Sequence, residues 1–124
     1  MDINEIKAVF SACGFSLDEH KASLFQRYLK LLRQENKKYN LTRILEPRDI
    51  LEEHFCDSWA GLSVQTNQTK EDLCLLDLGS GAGFPGVPIK ISMPDTKLYL
   101  VEAVRKKIIF LGKVVRELEL KEVT

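Results

Sequence analysis

The sequence predicts an α/β protein: a helical amino-terminal cap followed by parallel strands joined by helical crossovers. Three observations predict it. Residues 73–78 form a short apolar run that contains Asp77 and is followed at once by glycines. A run of this length between turn signals suits a strand buried on both faces of a parallel sheet. Gly79, Gly81 and Gly83 come next at every second position, then a short helical stretch. A second apolar run, 97–102, closes on Glu102, so the order after residue 73 is strand, helix, strand, helix. That order implies right-handed crossovers between parallel strands.

The cap is read from helix signals. Asp2 and Glu5 form a capping box, with Ile3, Ile6, Val9, Phe10 and Cys13 at helical spacing and Gly14 as the stop. Ser16 and Glu19 form a second capping box that opens a long helix ending near Tyr39. Its broad apolar face carries Leu17, Leu24, Phe25, Tyr28, Leu31 and Leu32. Pro47 breaks the connector after it. A third helix is predicted over 48–62, with Ile50, Leu51, His54, Phe55, Ser58, Trp59 and Leu62 on one side. His54 and Asp57 lie three apart and face the same way; a structural hydrogen bond or cap is the preferred reading over an acid–base pair. The polar stretch 63–72 reads as a linker. The organisation is thus a helical subdomain, 1–62, a linker, 63–72, and a sheet-forming part, 73–124. Within the last, 86–93 is a short helix, with Pro88 in its first turn. A helix follows over 104–118 with Ile108, Leu111, Val115 and Leu118 inward, and 119–124 begins a third strand.

Composition bounds the function. A chain of 124 residues, 44% hydrophobic and 29% charged, is globular in type. No apolar run approaches the ~20 residues that cross a bilayer. The amino terminus lacks the basic start and apolar core of a secretory signal, so the expected location is the cytoplasm. Cys13, Cys56 and Cys74 show neither metal-ligand spacing nor a disulfide framework, and Cys74, in the apolar strand, is expected to be a buried thiol. The zero net charge hides a basic stripe, Arg27, Lys30, Arg33, Lys37, Lys38, Arg43 and Arg48, against Glu35 and Glu46. Such a stripe binds phosphates or is a solvated helix face.

The glycine pattern is D-x-G-x-G-x-G, not the G-x-G-x-x-G of dinucleotide folds. It resembles the first motif of class I methyltransferases, which bind S-adenosylmethionine (SAM); taken alone, a glycine triplet is also an ordinary turn. Glu102 stands 21 residues beyond Gly81, where an acid accepts from the ribose hydroxyls of a nucleoside ligand; otherwise it is a strand-end charge. Chemistry alone leaves the ligand open. The helix after Gly83 offers N–H groups to a carboxylate, and Asp77 is expected to hold an ammonium group, directly or through water. No P-loop lysine follows the glycines.

Four stretches together resemble one family, the ribosomal RNA small subunit methyltransferase G, or glucose-inhibited division protein B. They are 35–44 (Glu-Asn-Lys-Lys-Tyr-Asn-Leu-Thr-Arg-Ile), 53–58 (Glu-His-Phe-Cys-Asp-Ser), 76–88 with its Phe84-Pro85-Gly86, and Glu102 with Arg105, Lys106, Lys107, Phe110 and Leu111. The resemblance implies a class I SAM-dependent methyltransferase with a Rossmann-like parallel sheet, of which this chain covers the amino-terminal half. It implies SAM as cofactor and N7 of one guanine in 16S ribosomal RNA, free or in the small subunit, as target. Asp77, Gly79, Ser80, Gly81, Gly83, Phe84 and Glu102 are the expected SAM contacts. Arg33, Lys37, Lys38, Arg43, Arg105 and Lys106 are the expected RNA contacts. No catalytic side chain and no metal ligand is expected, because guanine N7 exposes a lone pair and no proton need be removed. Family members continue further, and their fourth strand lies beside the first. The expectation is therefore a fragment, a truncated product or a chain that borrows its sheet edge from a partner. The bare apolar edge invites self-association. The alternatives are a non-catalytic remnant or weak RNA-binding module, and, third, a nicotinamide-dependent oxidoreductase, against which the glycine spacing speaks.

Overall fold

Asp2 opens the first helix, α1 (Ile3–Ala12), by accepting from the Glu5 N–H at 2.8 Å. The computed structural model describes residues 1–39, 41, 46–56, 74–84 and 86–124. Ile6, Val9 and Phe10 are buried on the inner side of α1. Gly14, at φ +89°, turns the chain out of the helix. The Phe15 N–H then reaches Phe10 O and the Gly14 N–H reaches Ser11 O, the paired bonds of a Schellman stop.

The long helix, α2 (Glu19–Tyr39), ends where the sequence predicts but starts on a different cap. Asp18, not Ser16, accepts from the Lys21 N–H, at 2.7 Å. A carboxylate satisfies the same orphan donor as a hydroxyl and also meets the positive end of the helix dipole. The predicted apolar face is buried, and Phe25 stacks obliquely on Phe10 with ring centroids 4.7 Å apart.

The third helix differs from expectation. A single turn, α3 (Pro47–Asp49), runs into a π-helical segment, Ile50–Cys56. Ile50, Leu51 and Cys56 are buried in this segment. The rest of the predicted helix and the linker, 63–72, lie outside the described residues.

Two strands follow, β1 (Cys74–Leu78) and β2 (Lys97–Val101), parallel and in register from Cys74 opposite Lys97 to Leu78 opposite Val101. Helix α4 (Gly86–Ser92) connects them and α5 (Arg105–Glu117) leaves β2. The chain then returns beside β2. Leu98 N–H donates to Glu122 O, Leu100 N–H to Thr124 O, and Thr124 N–H to Leu98 O, at 2.7 to 3.0 Å. The predicted third strand thus begins as a parallel bridge at Val123.

Among the described residues, one face of this sheet is covered, not two. Leu98 and Asp77 are buried beneath the helices, while Leu76, Leu78, Tyr99 and Val101 share the other face and are 59%, 71%, 42% and 48% exposed. The expectation of a strand buried on both sides is corrected accordingly, and Cys74, on that open face, is an exposed thiol, not a buried one. The inward stripe of α5 is also corrected. Phe110, Leu111, Val114 and Leu118 are buried, Ile108 is half exposed and Val115 is half-buried. The helix is apolar on two sides, and packing on α2 selects the stripe that buries the Phe110 ring. Lys113 Nζ to Glu35 Oε1 at 2.8 Å, and Arg27 Nη1 to Glu117 O at 3.2 Å, tie α5 to α2. One apolar core runs from α1 and α2 into α4 and α5, so the helical part and the sheet part share it.

Candidate ligand site at the glycine loop

The loop after β1 needs backbone conformations that only glycine adopts without strain. Gly79, Gly81 and Gly83 lie at φ +70°, +57° and +105°. The Gly79 and Ser80 N–H groups both donate to Val101 O, which pins the loop to the end of β2. Gly83 and Phe84 N–H donate to Ser80 O, and the Ser80 hydroxyl donates to Asp77 O at 3.1 Å. The loop therefore stands at the carboxyl ends of both strands, the position where open α/β sheets bind ligands.

The glycines divide into two kinds. A side chain on Gly79 would meet nothing within 4 Å, and on Gly81 only Gly79 O at 3.9 Å. These two form the open side of the loop. Gly83 faces inward, where a Cβ would strike the Tyr28 hydroxyl and the Val87 side chain. Ser80 is buried and Phe84 is half-buried, its ring 5.9 Å from that of Tyr28.

Glu102 closes the loop. Its Oε2 accepts from Gly81 N–H at 2.7 Å, and its Oε1 accepts from Ala103 and Val104 N–H at 3.1 Å. The Val104 and then the Gly81 N–H groups hold this carboxyl below its ordinary range. An ionised carboxylate offers about four lone-pair positions, and these three N–H groups leave one, on Oε2, for a hydroxyl of a ligand. Asp77 points the other way. It is buried, and its Oδ2 accepts from the Gly86 N–H at 3.1 Å, so it caps α4 from inside. Burial pushes its carboxyl up, against the pull of that N–H.

The structure thus gathers all seven candidate cofactor residues around one loop. Gly79, Gly81 and Glu102 form its open side, and Asp77, Ser80, Gly83 and Phe84 support it. Among the candidate RNA contacts, Arg33 and Lys37 line an open cleft of about 600 Å³ together with Arg27 and Lys30. Lys38 is exposed beside Glu35. Arg105 and Lys106 are exposed in the first turn of α5, just past Glu102. Arg43 lies outside the described residues, as does Asp57 and with it the predicted pairing to His54. One residue escaped the sequence reading: Tyr28, assigned to a core face, donates its hydroxyl to Ala82 O in the loop at 2.5 Å. The signal available was general, since a buried tyrosine needs a partner for its hydroxyl. Among the described residues no cluster of His, Cys, Asp or Glu is placed to hold a metal, and no helix is long and apolar enough to cross a membrane.

A glycine loop at the carboxyl end of one parallel strand, closed by the acid that follows its neighbour, defines an α/β protein with a candidate ligand site at its strand ends. The sequence profile of the family GidB, rRNA small subunit methyltransferase G, matches residues 21–124, and the chain belongs to that family. The ribosomal RNA small subunit methyltransferase G of Carboxydothermus hydrogenoformans is 43% identical over 120 residues, 97% of this chain and 50% of the relative. Those of Leuconostoc citreum and Oenococcus oeni are 36% and 40% identical over 100% and 99% of this chain, and 52% and 50% of the relatives. The chain spans about half the length of the curated relatives it matches.

Proposed function

We propose that this chain supplies the helical cap and the SAM-binding loop of a class I methyltransferase acting on N7 of a guanine in 16S ribosomal RNA, in the cytoplasm. One observation carries the reading: the Glu102 carboxylate is bonded to the Gly81 N–H on the open side of the loop, with acceptor capacity left. Glu102 would accept from a ribose hydroxyl through Oε2, and the backbone at Gly79 and Gly81 would approach the ligand without a Cβ between. SAM supplies an electrophilic methyl group on a sulfonium. The protein's part is to orient the base so that the N7 lone pair meets that methyl in line, and no side chain need take a proton. Arg33, Lys37, Lys38, Arg43, Arg105 and Lys106 would hold phosphates, which position the RNA without reading its sequence.

Methyl transfer to small ribosomal subunits that lack this methylation tests the proposal. One N7-methylguanine per 16S RNA in nuclease digests supports it. Transfer to no guanine N7 refutes activity of this chain. A specific observation favours the second reading, a non-catalytic RNA-binding module. The sheet face of Leu76, Leu78, Tyr99 and Val101 is exposed, and among the described residues nothing pairs with the outer edge of β1. That face and edge also support self-association. Salt-dependent RNA binding without methyl transfer is the result this second reading expects.

A further inference from the structure

The glycine loop is held from beneath by the helical part of the chain. Tyr28, in α2, is fully buried and donates its hydroxyl to Ala82 O. Its ring lies against Phe84, tilted by 38°. Ala82 stands between Gly81, whose N–H meets Glu102, and Gly83, whose missing Cβ leaves room for that same hydroxyl. Burial, and then the Asp77 carboxylate, push the phenol well above its ordinary value, so it stays a proton donor. Backbone geometry at Gly81 is thereby tied to a side chain from α2, in the half of the chain that does not form the sheet.

We propose that Tyr28 is a positioning residue for the ligand site: by donating to the Ala82 carbonyl and packing on Phe84, it holds the loop where Gly81 and Glu102 are bonded. This rests on the reading that the loop binds SAM.

The test is Tyr28→Phe, which keeps the ring and removes the hydroxyl, with two readouts. The first is amide hydrogen exchange in the ligand-free protein. Exchange at Gly81 should quicken about tenfold, the worth of one buried hydrogen bond, with α1 amides unchanged. The second is calorimetric affinity for S-adenosylhomocysteine, which should fall about tenfold. If both stay at wild-type values while Glu102→Ala loses binding, the role of Tyr28 is overturned and the site reading stands. If the wild-type protein binds no S-adenosylhomocysteine, the site reading falls and the positioning role falls with it. Gly83→Ala, which drives a methyl against the hydroxyl, is the second variant should Tyr28→Phe not fold. It should shift both readouts the same way, and unchanged exchange and affinity in it overturn the proposal.

Discussion

Gly86 is a glycine for steric reasons, and Gly86→Ala measures how tightly β1, α4 and β2 meet. A Cβ there would lie 2.8 Å from Asp77 Oδ2, 3.0 Å from Leu100 Cδ2 and 3.1 Å from Leu98 Cδ1. The carboxylate must withdraw, which breaks its bond from the Gly86 N–H. Overpacking of a core costs about 1–3 kcal/mol. A lost hydrogen bond to a buried charge costs about 1.5–3 kcal/mol. The two overlap, because withdrawal relieves part of the clash, so about 2–4 kcal/mol is expected. That is a large share of the ~5–15 kcal/mol by which domains are stable. Urea unfolding should show the midpoint lowered by about 1–2 M with an unchanged slope. In an Asp77→Ala background the same substitution should cost less, since the nearest clashing atom is gone, with a coupling of at least about 0.5 kcal/mol. Gly79→Ala, in open space but at φ +70°, should cost only the ~1–2 kcal/mol of left-handed backbone. A midpoint shift below about 0.3 M for Gly86→Ala would refute this steric account.

Asp18→Ala should cost about 1 kcal/mol in thermal or urea unfolding, and Ser16→Ala less than about 0.5 kcal/mol, because only Asp18 caps α2. Acid should loosen the fold through Glu35 and Glu102. Both carboxyls are held below the ordinary 4.5, Glu35 chiefly by its bond from Lys113, so their contribution is complete above 4.5 and is lost as pH falls through their folded values. Asp77, raised above 3.8, works oppositely. The folded state keeps its proton longer than the unfolded chain, so stability falls as pH rises from 3.8 through its folded value. Melting temperatures across about pH 3 to 7 should therefore rise less steeply in Glu35→Gln than in wild type. The exposed sheet face should drive association seen by sedimentation at about 100 μM, and Leu78→Lys should abolish it; a wild-type chain monomeric at that concentration contradicts the prediction.

What was legible in the sequence was local. Asp2 and Glu5, three apart, mark the first cap, and the glycines with Glu102 mark where the strands end, because turn chemistry is written in adjacent residues. The family resemblance added the site's expected ligand and was matched over residues 21–124. What failed needed neighbours distant in sequence. The exception is local: Ser16 and Asp18, two residues apart, are both good caps, and the start of α2 chooses between them. Ile108 with Val115, and Phe110 with Val114, are two helical stripes of similar apolarity, and α2 decides which is buried. Cys74 reads as a core residue in an apolar run because a run does not tell how many sheet faces are covered. Tyr28 is core as the sequence predicts, and what escaped was the partner of its hydroxyl, 54 residues away.

The central claim is that the loop from Gly79 to Phe84, closed by Glu102, holds the adenosine end of SAM. Titration calorimetry with S-adenosylhomocysteine tests it most directly. A saturable one-to-one isotherm is expected for the wild-type chain, weakened at least about tenfold by Gly81→Val and by Glu102→Ala. The second substitution removes the carboxylate that meets Gly81, and the first fills the open side of the loop. Wild-type affinity in both variants, or no binding by the wild-type chain, would contradict it.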